Sequence, residues 1–283
     1  MPELPEVETV RRGLAKMLLA RPTVIKDIFW SGKNLRRPLV TDDALSPSLI
    51  KNRRKGAVGD GVAIERAFRR HWRGRVITAL DRRAKYMVVH GDKDGACRYL
   101  LCHLGMSGFF RFLPAPLAHK PTTAFMPMAA APLMADNTVG GVQTHGANRA
   151  TAAPLPITTA DDFARLRAMM ADEKKLKKFM RQQHLHLLFY LQQDNGGAAL
   201  LAFYDPRRFG FVADVAPAAL HAHPALATLG VEPFSADLSI DYLWRALQRH
   251  RLSLKTFLLN QKIIVGIGNI YASEILWLAA LSP

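Results

Sequence analysis

Residues 184–204 read HLHLLFYLQQDNGGAALLAFY, and this stretch decides the fold class. Two apolar runs, His184 to Leu191 and Ala198 to Tyr204, flank Asp194-Asn195-Gly196-Gly197. Asn and Gly tolerate the positive φ of a tight reversal, so the segment reads as a β-hairpin. Toward the N-terminus, short apolar segments recur between turn residues: Val24 to Trp30, Arg75 to Leu80, Lys85 to His90, Arg98 to His103 and Phe109 to Leu113. Strands spaced this regularly predict an antiparallel β-sandwich. In front of them Val7, Val10, Leu14, Met17 and Leu18 recur at helical spacing. From Asp237 the pattern turns helical again, with Tyr242, Leu243, Ala246 and Leu247, then Leu254, Phe257 and Leu258, and a last helix expected from about Asn269 to Ala280. The expected class is α+β: an N-terminal helix and antiparallel sandwich over 1–236, then a helical domain over 237–283.

Two stretches fit neither pattern. Residues 42–66 carry the basic run Lys51 to Lys55 followed by glycines, which reads as an exposed loop that either touches phosphate or is simply solvated. Residues 114–180 are rich in Ala, Pro, Met and Thr and read as a mostly disordered insertion with one helical piece around Asp161 to Met180.

The 283 residues include 39 Lys and Arg against 23 Asp and Glu, a net charge of +16 and a sequence pI near 10.2. A balance that basic points to a polyanionic partner, with a generically solvated basic protein as the competing reading. No apolar run approaches the roughly 20 residues of a membrane span, and no leader precedes the first helix, so a soluble intracellular protein with no membrane partner is expected. Cys97 and Cys102 sit in a strand-like run at an odd separation, on opposite faces, which leaves no local disulfide or metal clip and reads as two core thiols.

The opening Met1-Pro-Glu-Leu-Pro-Glu-Val-Glu-Thr9 has two readings. Pro2 and Pro5 suit the first turn of a helix, where a missing N–H costs nothing. If Met1 is removed, Pro2 also becomes a secondary amine of pKa about 8, able to form an iminium with a sugar carbon without any lysine. Glu3 and Glu6 then place carboxylates beside that amine for acid–base work. Elsewhere, Arg82-Arg83-Ala84-Lys85-Tyr86 stands at a strand entrance, where Lys85 would be held rigidly with its ammonium near the surface, or would merely protect a strand edge. His103-Leu-Gly-Met-Ser-Gly108 is a tight loop exposing Met106, either a packing residue or an apolar wedge for a base stack. Asp205-Pro-Arg-Arg-Phe-Gly210 offers Arg207, Arg208 and Phe209 together, a pairing suited to phosphate contact and stacking. Gly266-Ile-Gly-Asn269 precedes the last helix and could present backbone N–H groups to a phosphate.

These motifs, in this order across residues 2 to 274, resemble bacterial formamidopyrimidine-DNA glycosylase, with Val265 to Glu274 completing the set. The resemblance implies a DNA base-excision repair enzyme of the bacterial cytoplasm and nucleoid, a monomer acting on double-stranded DNA that contains oxidised purines or abasic sites. It would excise 8-oxoguanine and formamidopyrimidines through an N-terminal proline Schiff base, then cut the strand by β- and δ-elimination. Pro2 would be the nucleophile, Glu3 the acid–base group and Lys85 a phosphate contact. Glu6 and Lys255 would serve the lesion pocket. Met106, Arg207 and Phe209 would fill the space left by the flipped base, with Arg208, Asn269 and Tyr271 also on the DNA side. The family's helix-two-turn-helix element and its four-cysteine zinc finger extend past Asn269, whereas these residues stop at Pro283 with no Cys-x-x-Cys pair. A truncated helical domain, no metal or other cofactor, and exposed Leu276, Trp277 and Leu281 are therefore expected. A truncated, weakly active or inactive damaged-DNA-binding relative or fragment of a longer protein, and a proline-dependent tautomerase, are the alternatives.

Overall fold

The computed structural model describes residues 2–33, 35, 58–115 and 160–282, so the basic run 51–55 and residues 116–159 lie outside the described residues. Helix α1 (Leu4–Leu18) starts with Pro5 in its first turn and buries Leu4, Val7, Leu14 and Leu18. Its outer side carries Glu8, clamped by Arg11 at 2.8 Å and Arg12 at 2.7 Å. The Arg11 hydrogen bond is the largest influence on that carboxyl, which is held down at about 2 against the opposing effect of burial.

Strand β1 (Thr23–Trp30) is followed by helix α2 (Val58–Trp72) and by strands β2 (Val76–Arg83), β3 (Tyr86–Lys93), β4 (Ala96–His103) and β5 (Phe109–Pro114). Helices α3 (Ala160–Met169) and α4 (Glu173–Gln182) precede β6 (Leu185–Gln193), β7 (Ala198–Tyr204) and β8 (Phe211–Val215). Past a 3-10 turn at Pro217–Ala219, the chain ends in α5 (Ile240–Arg249), α6 (Leu254–Leu259) and α7 (Asn269–Leu278). All strands are antiparallel to their neighbours, and they form one sheet of eight in the order β5-β7-β6-β1-β2-β3-β4-β8. Only Thr23↔Ile77 and Val24↔Val76 join β1 to β2. The sheet is creased at that seam, and its halves meet across one core: Ile25, Leu187 and Phe189 from one side, Leu80, Met87 and Val212 from the other, with α1 closing it.

The opening hairpin is continuous in its hydrophobicity because both of its faces are covered. Leu187, Phe189, Ala199, Leu201 and Phe203 face the core between the halves. Leu188, Leu200, Ala202 and Tyr204 face a second core built with Phe163, Leu166, Leu176 and Met180. The last four belong to α3 and α4, so the segment read as one helical piece in a disordered insertion is two helices covering the sheet. Asp172 caps α4 by accepting from the Lys174 and Lys175 N–H groups, both at 3.0 Å.

The stretch 42–66 also differs from its reading as a loop. From Val58 it enters α2, which buries Phe68 and Trp72 on the sheet. Its Arg69 holds both oxygens of Asp27, at 3.0 and 2.8 Å, and reaches Glu173 on α4 at 2.6 Å. Strand β8, absent from the expected strands, pairs with β4 along Tyr99↔Val215 to His103↔Phe211. Cys102 is buried as expected and burial pushes its thiol up to about 12, whereas Cys97, near the β3–β4 turn, is only half-buried.

In the helical part Ser239 and Ser253 cap α5 and α6. Phe257, Ile263, Ile264, Ile267 and Ala272 form its core. Trp277 and Leu281 are exposed as expected, but Leu276 is buried at 4% exposure, a correction to its reading. Among the described residues no helix is long and apolar enough to cross a membrane.

Candidate active site and DNA-facing loops

Glu3 stands at the start of α1, and its side chain is only 2% exposed. Its carboxylate caps a different helix, the last one. Oε2 accepts from Gly268 N–H at 2.9 Å and Tyr271 N–H at 3.1 Å, while Oε1 accepts from Ile270 N–H at 2.8 Å. The helix N-terminus expected to receive a phosphate is therefore already occupied by this carboxylate, whose negative charge suits the helix dipole. A carboxylate has roughly four acceptor positions, and three of them are taken by this helix start. Glu6 is exposed on α1 and accepts the Glu3 N–H at 3.0 Å. The Leu4 N–H completes the junction by donating to the Gly266 carbonyl at 3.0 Å.

Lys85 reaches the same junction from the β2–β3 turn. Its Nζ donates to the Ile267 carbonyl at 2.8 Å, and Gln261 Nε2 donates to that oxygen at 2.9 Å. The side chain is 5% exposed, not near the surface as expected, because residues 265–268 of the helical part fold over it. Burial is the main reason that its ammonium pKa is lowered, with the charges of Glu3 and Glu6 opposing that shift. The turn itself is held by Glu232, which accepts from the Ala84 N–H at 2.7 Å, Arg82 at 2.9 Å and Arg83 at 3.0 Å. Burial would raise the Glu232 pKa, but these donors outweigh it and the carboxyl is lowered overall. Ala84 pays for its place with a left-handed φ of 54°.

The two remaining motifs form one platform. Asp205 is fully buried, and its Oδ1 accepts from Ser107 Oγ at 2.6 Å while its Oδ2 accepts from the Gly210 N–H at 2.6 Å. Ser107 Oγ in turn accepts from the Arg207 N–H at 3.1 Å. Gly105 has φ +67°, and a Cβ there would stand 2.3 Å from the Gly210 nitrogen, so the loops touch backbone to backbone. This bracing presents Met106, 43% exposed, beside Phe209, 37% exposed, with the Arg207 guanidinium 4.9 Å from the Phe209 ring centre. Arg208 is exposed next to them.

Residues 1–212 match the family described as formamidopyrimidine-DNA glycosylase N-terminal domain, and residues 229–283 match its H2TH domain. The chain belongs to the formamidopyrimidine-DNA glycosylase family. These are DNA glycosylases of DNA repair. The formamidopyrimidine-DNA glycosylase of Chelativorans sp. strain BNC1 is 31% identical over all 283 residues, which cover 68% of that relative. That of Mesorhizobium japonicum is 34% identical over the same span, again 68% of its length. Among solved structures, Lactococcus lactis Fpg with an abasic site containing DNA aligns with 99% of this chain and 68% of its own, at TM-score 0.57 and 21% identity. The same protein with an oxidized pyrimidine containing DNA gives TM-score 0.58 and 21% identity, over 100% of this chain and 70% of its own. At that identity the structural likeness speaks for the fold.

Against this family background, the structure brings Pro2, Glu3, Glu6, Lys85 and Tyr271 to one junction, and Met106, Arg207, Arg208 and Phe209 to one platform. Pro2 is half-buried and Asn269 exposed. Lys255 lies on α6, half-buried, and no hydrogen bond or ion pair joins it to the junction among the described residues. Cys97 and Cys102 lie on β4, and no group of three or more His, Cys, Asp or Glu among the described residues is placed to hold a metal ion. Sequence reasoning passed over Asp205, Ser107, Glu232 and Gln261. Asp205 opens a Pro-Arg-Arg turn and could have been read as its anchor. Glu232 and Gln261 carry no local signal.

Gly268→Ala should expose how tightly this junction is built. A Cβ at Gly268 would fall 2.4 Å from Glu3 Cδ and 2.5 Å from Oε1. Relief requires the carboxylate to turn away from its N–H donors, each of which costs about 1–3 kcal/mol when buried without an acceptor. The expected result is a lower urea midpoint at unchanged slope. An unaltered midpoint would mean that Glu3 moves aside freely.

Proposed function

We propose that this chain is a bifunctional glycosylase and AP lyase that removes oxidised purines, 8-oxoguanine and formamidopyrimidines, from duplex DNA by way of a Pro2 Schiff base. The observation that supports this most is the convergence of the Pro2–Glu3 pair with Lys85 at the N-terminus of α7. With Met1 removed, the Pro2 nitrogen attacks C1′ of the damaged nucleotide. The C1′–base bond breaks, its electron pair leaves on the base, and the proton lost by the Pro2 nitrogen balances the one the base takes up. The nitrogen lone pair then expels O4′, which Glu3 protonates, leaving an open-chain iminium. Withdrawal of a C2′ proton by the Glu3 carboxylate forms the C2′–C3′ double bond and releases the 3′ phosphate. Loss of a C4′ proton with departure of the 5′ phosphate completes the δ step.

Lys85 serves the phosphate of the damaged nucleotide by exchanging the Ile267 carbonyl for a phosphate oxygen. Met106 and Phe209 fill the vacated stack while Arg207 bonds the orphaned partner base, offsetting the few kcal/mol that flipping costs. Arg208, Asn269 and Tyr271 contact the backbone around it, and Glu6 and Lys255 border the lesion. The protein acts as a monomer, residues 1–236 carrying the chemistry and 237–283 the second wall of the cleft. The scheme calls on no cofactor, since an amine and a carboxyl group supply both nucleophile and proton carrier.

The test is borohydride reduction during turnover on duplexes carrying either 8-oxoguanine or an abasic site. A covalent protein–DNA product that maps by mass spectrometry to the Pro2 peptide is expected with both. Adduct on a lysine peptide, or no adduct while the duplex is still bound, would overturn the Schiff-base reading and favour the damage-binding alternative.

A further inference from the structure

A groove of about 780 Å³ opens on the sheet at the end opposite the DNA-facing loops. Lys26 of β1, Arg70 and Arg73 at the end of α2, Lys93 at the end of β3 and Arg167 of α3 all line it. Its one carboxylate among the described residues, Asp27, is already held at both oxygens by Arg69. Lys26, Arg73 and Lys93 are exposed and form no ion pair among the described residues. Arg167 is fixed over the Tyr190 ring at 4.6 Å, so this cation is already ordered. The turn bearing Lys85 and the groove lie at opposite ends of β3, whose eight residues span roughly 25 Å.

We propose that this groove is a second binding site for the phosphate backbone of duplex DNA. Cations drawn from four elements around one concavity repel each other unless an anion joins them. A free phosphate would meet one or two of them. A duplex carries a charge about every 1.7 Å of its axis and releases counterions at each contact, so it engages several of them at once. The choice of DNA over other polyanions rests on the family's substrate, and nothing in the argument depends on the excision chemistry. With one duplex on the loops and another in the groove, the protein joins two DNA segments.

The test is sedimentation of the full chain with undamaged duplex of about 12 base pairs, close to one helical turn, at low salt. The parent should bind two duplexes, and the Lys26→Gln/Arg73→Gln/Lys93→Gln variant one. An Arg207→Gln/Arg208→Gln variant should also bind one, at the groove. These side chains are exposed, so thermal melting should confirm an unchanged fold. Occupancy of the second site should fall with salt at a log–log slope of about −3 from these three contacts. A parent that binds one duplex only, or a groove variant that still binds two, overturns the proposal. So does inorganic polyphosphate binding in the groove of a parent that accepts no second duplex. A protein that binds two duplexes but forms no borohydride adduct keeps this site and loses the excision reading.

Discussion

Glu3→Gln should lower single-turnover excision by about 10²–10⁴-fold and weaken the fold at the same time. The amide cannot release a proton to O4′ or accept one from C2′. Nor can it fit its surroundings, because three backbone N–H groups point at the two carboxylate oxygens. One rotamer aims NH₂ at the Ile270 N–H and the other at those of Gly268 and Tyr271, so at least one buried donor faces another donor. The cost is about 1–3 kcal/mol, read as a lower urea midpoint. Excision and stability thus separate two roles of one side chain. A variant with parental excision would remove Glu3 from the reaction, whatever its stability.

The largest effect on stability is expected from Asp214→Asn, far from the proposed chemistry. Asp214 on β8 is 1% exposed and binds Arg98 through Nε at 2.8 Å and Nη2 at 2.9 Å. It also accepts from Trp72 Nε1 at 2.8 Å, and His71 Nδ1 lies 2.6 Å away. Removing the charge weakens both hydrogen bonds from the half-buried Arg98 guanidinium and turns an NH₂ toward N–H donors. Breaking a buried pair from one side costs about 3–5 kcal/mol. Burial would raise the Asp214 pKa, but His71, Arg98 and Trp72 together hold it below the ordinary carboxylate value. A depressed carboxyl stabilises the fold above its unfolded pKa of about 3.9, and that contribution is lost as pH falls through the folded value. Urea unfolding should therefore show the full difference between parent and variant at pH 7 and a narrowing gap below about pH 4. A difference under about 1 kcal/mol at neutral pH would mean that the cluster behaves like a surface pair.

Local pattern carried most of the fold and little of the site's geometry. The strands around Asn195-Gly196 were legible because alternation and turn chemistry agree there. Strand β8 was not, since Phe-Val-Ala-Asp-Val over 211–215 is short and carries a charge whose partners, Arg98 and Trp72, lie more than a hundred residues earlier. Helix α2 was hidden by Gly59 and Gly61 at its start and by arginines that mask the Phe68 and Trp72 spacing. In the site, residue types were legible but surroundings were not. Lys85 looked like a surface cation until Ile267 closed over it, and the helix start at Gly268 looked free until Glu3 filled it.

The bond between Glu3 and Ile270 spans 267 positions of the chain. During synthesis the first residues leave the ribosome long before their partners exist. At about 5–20 residues per second, the delay is on the order of tens of seconds. Throughout that interval the carboxylate lacks the three donors that fix it and Lys85 lacks its cover. A nascent chain can complete its sandwich, yet it cannot assemble a working centre until the last helix has emerged. The order of translation thus leaves the junction of Glu3 and Lys85 incomplete in unfinished protein.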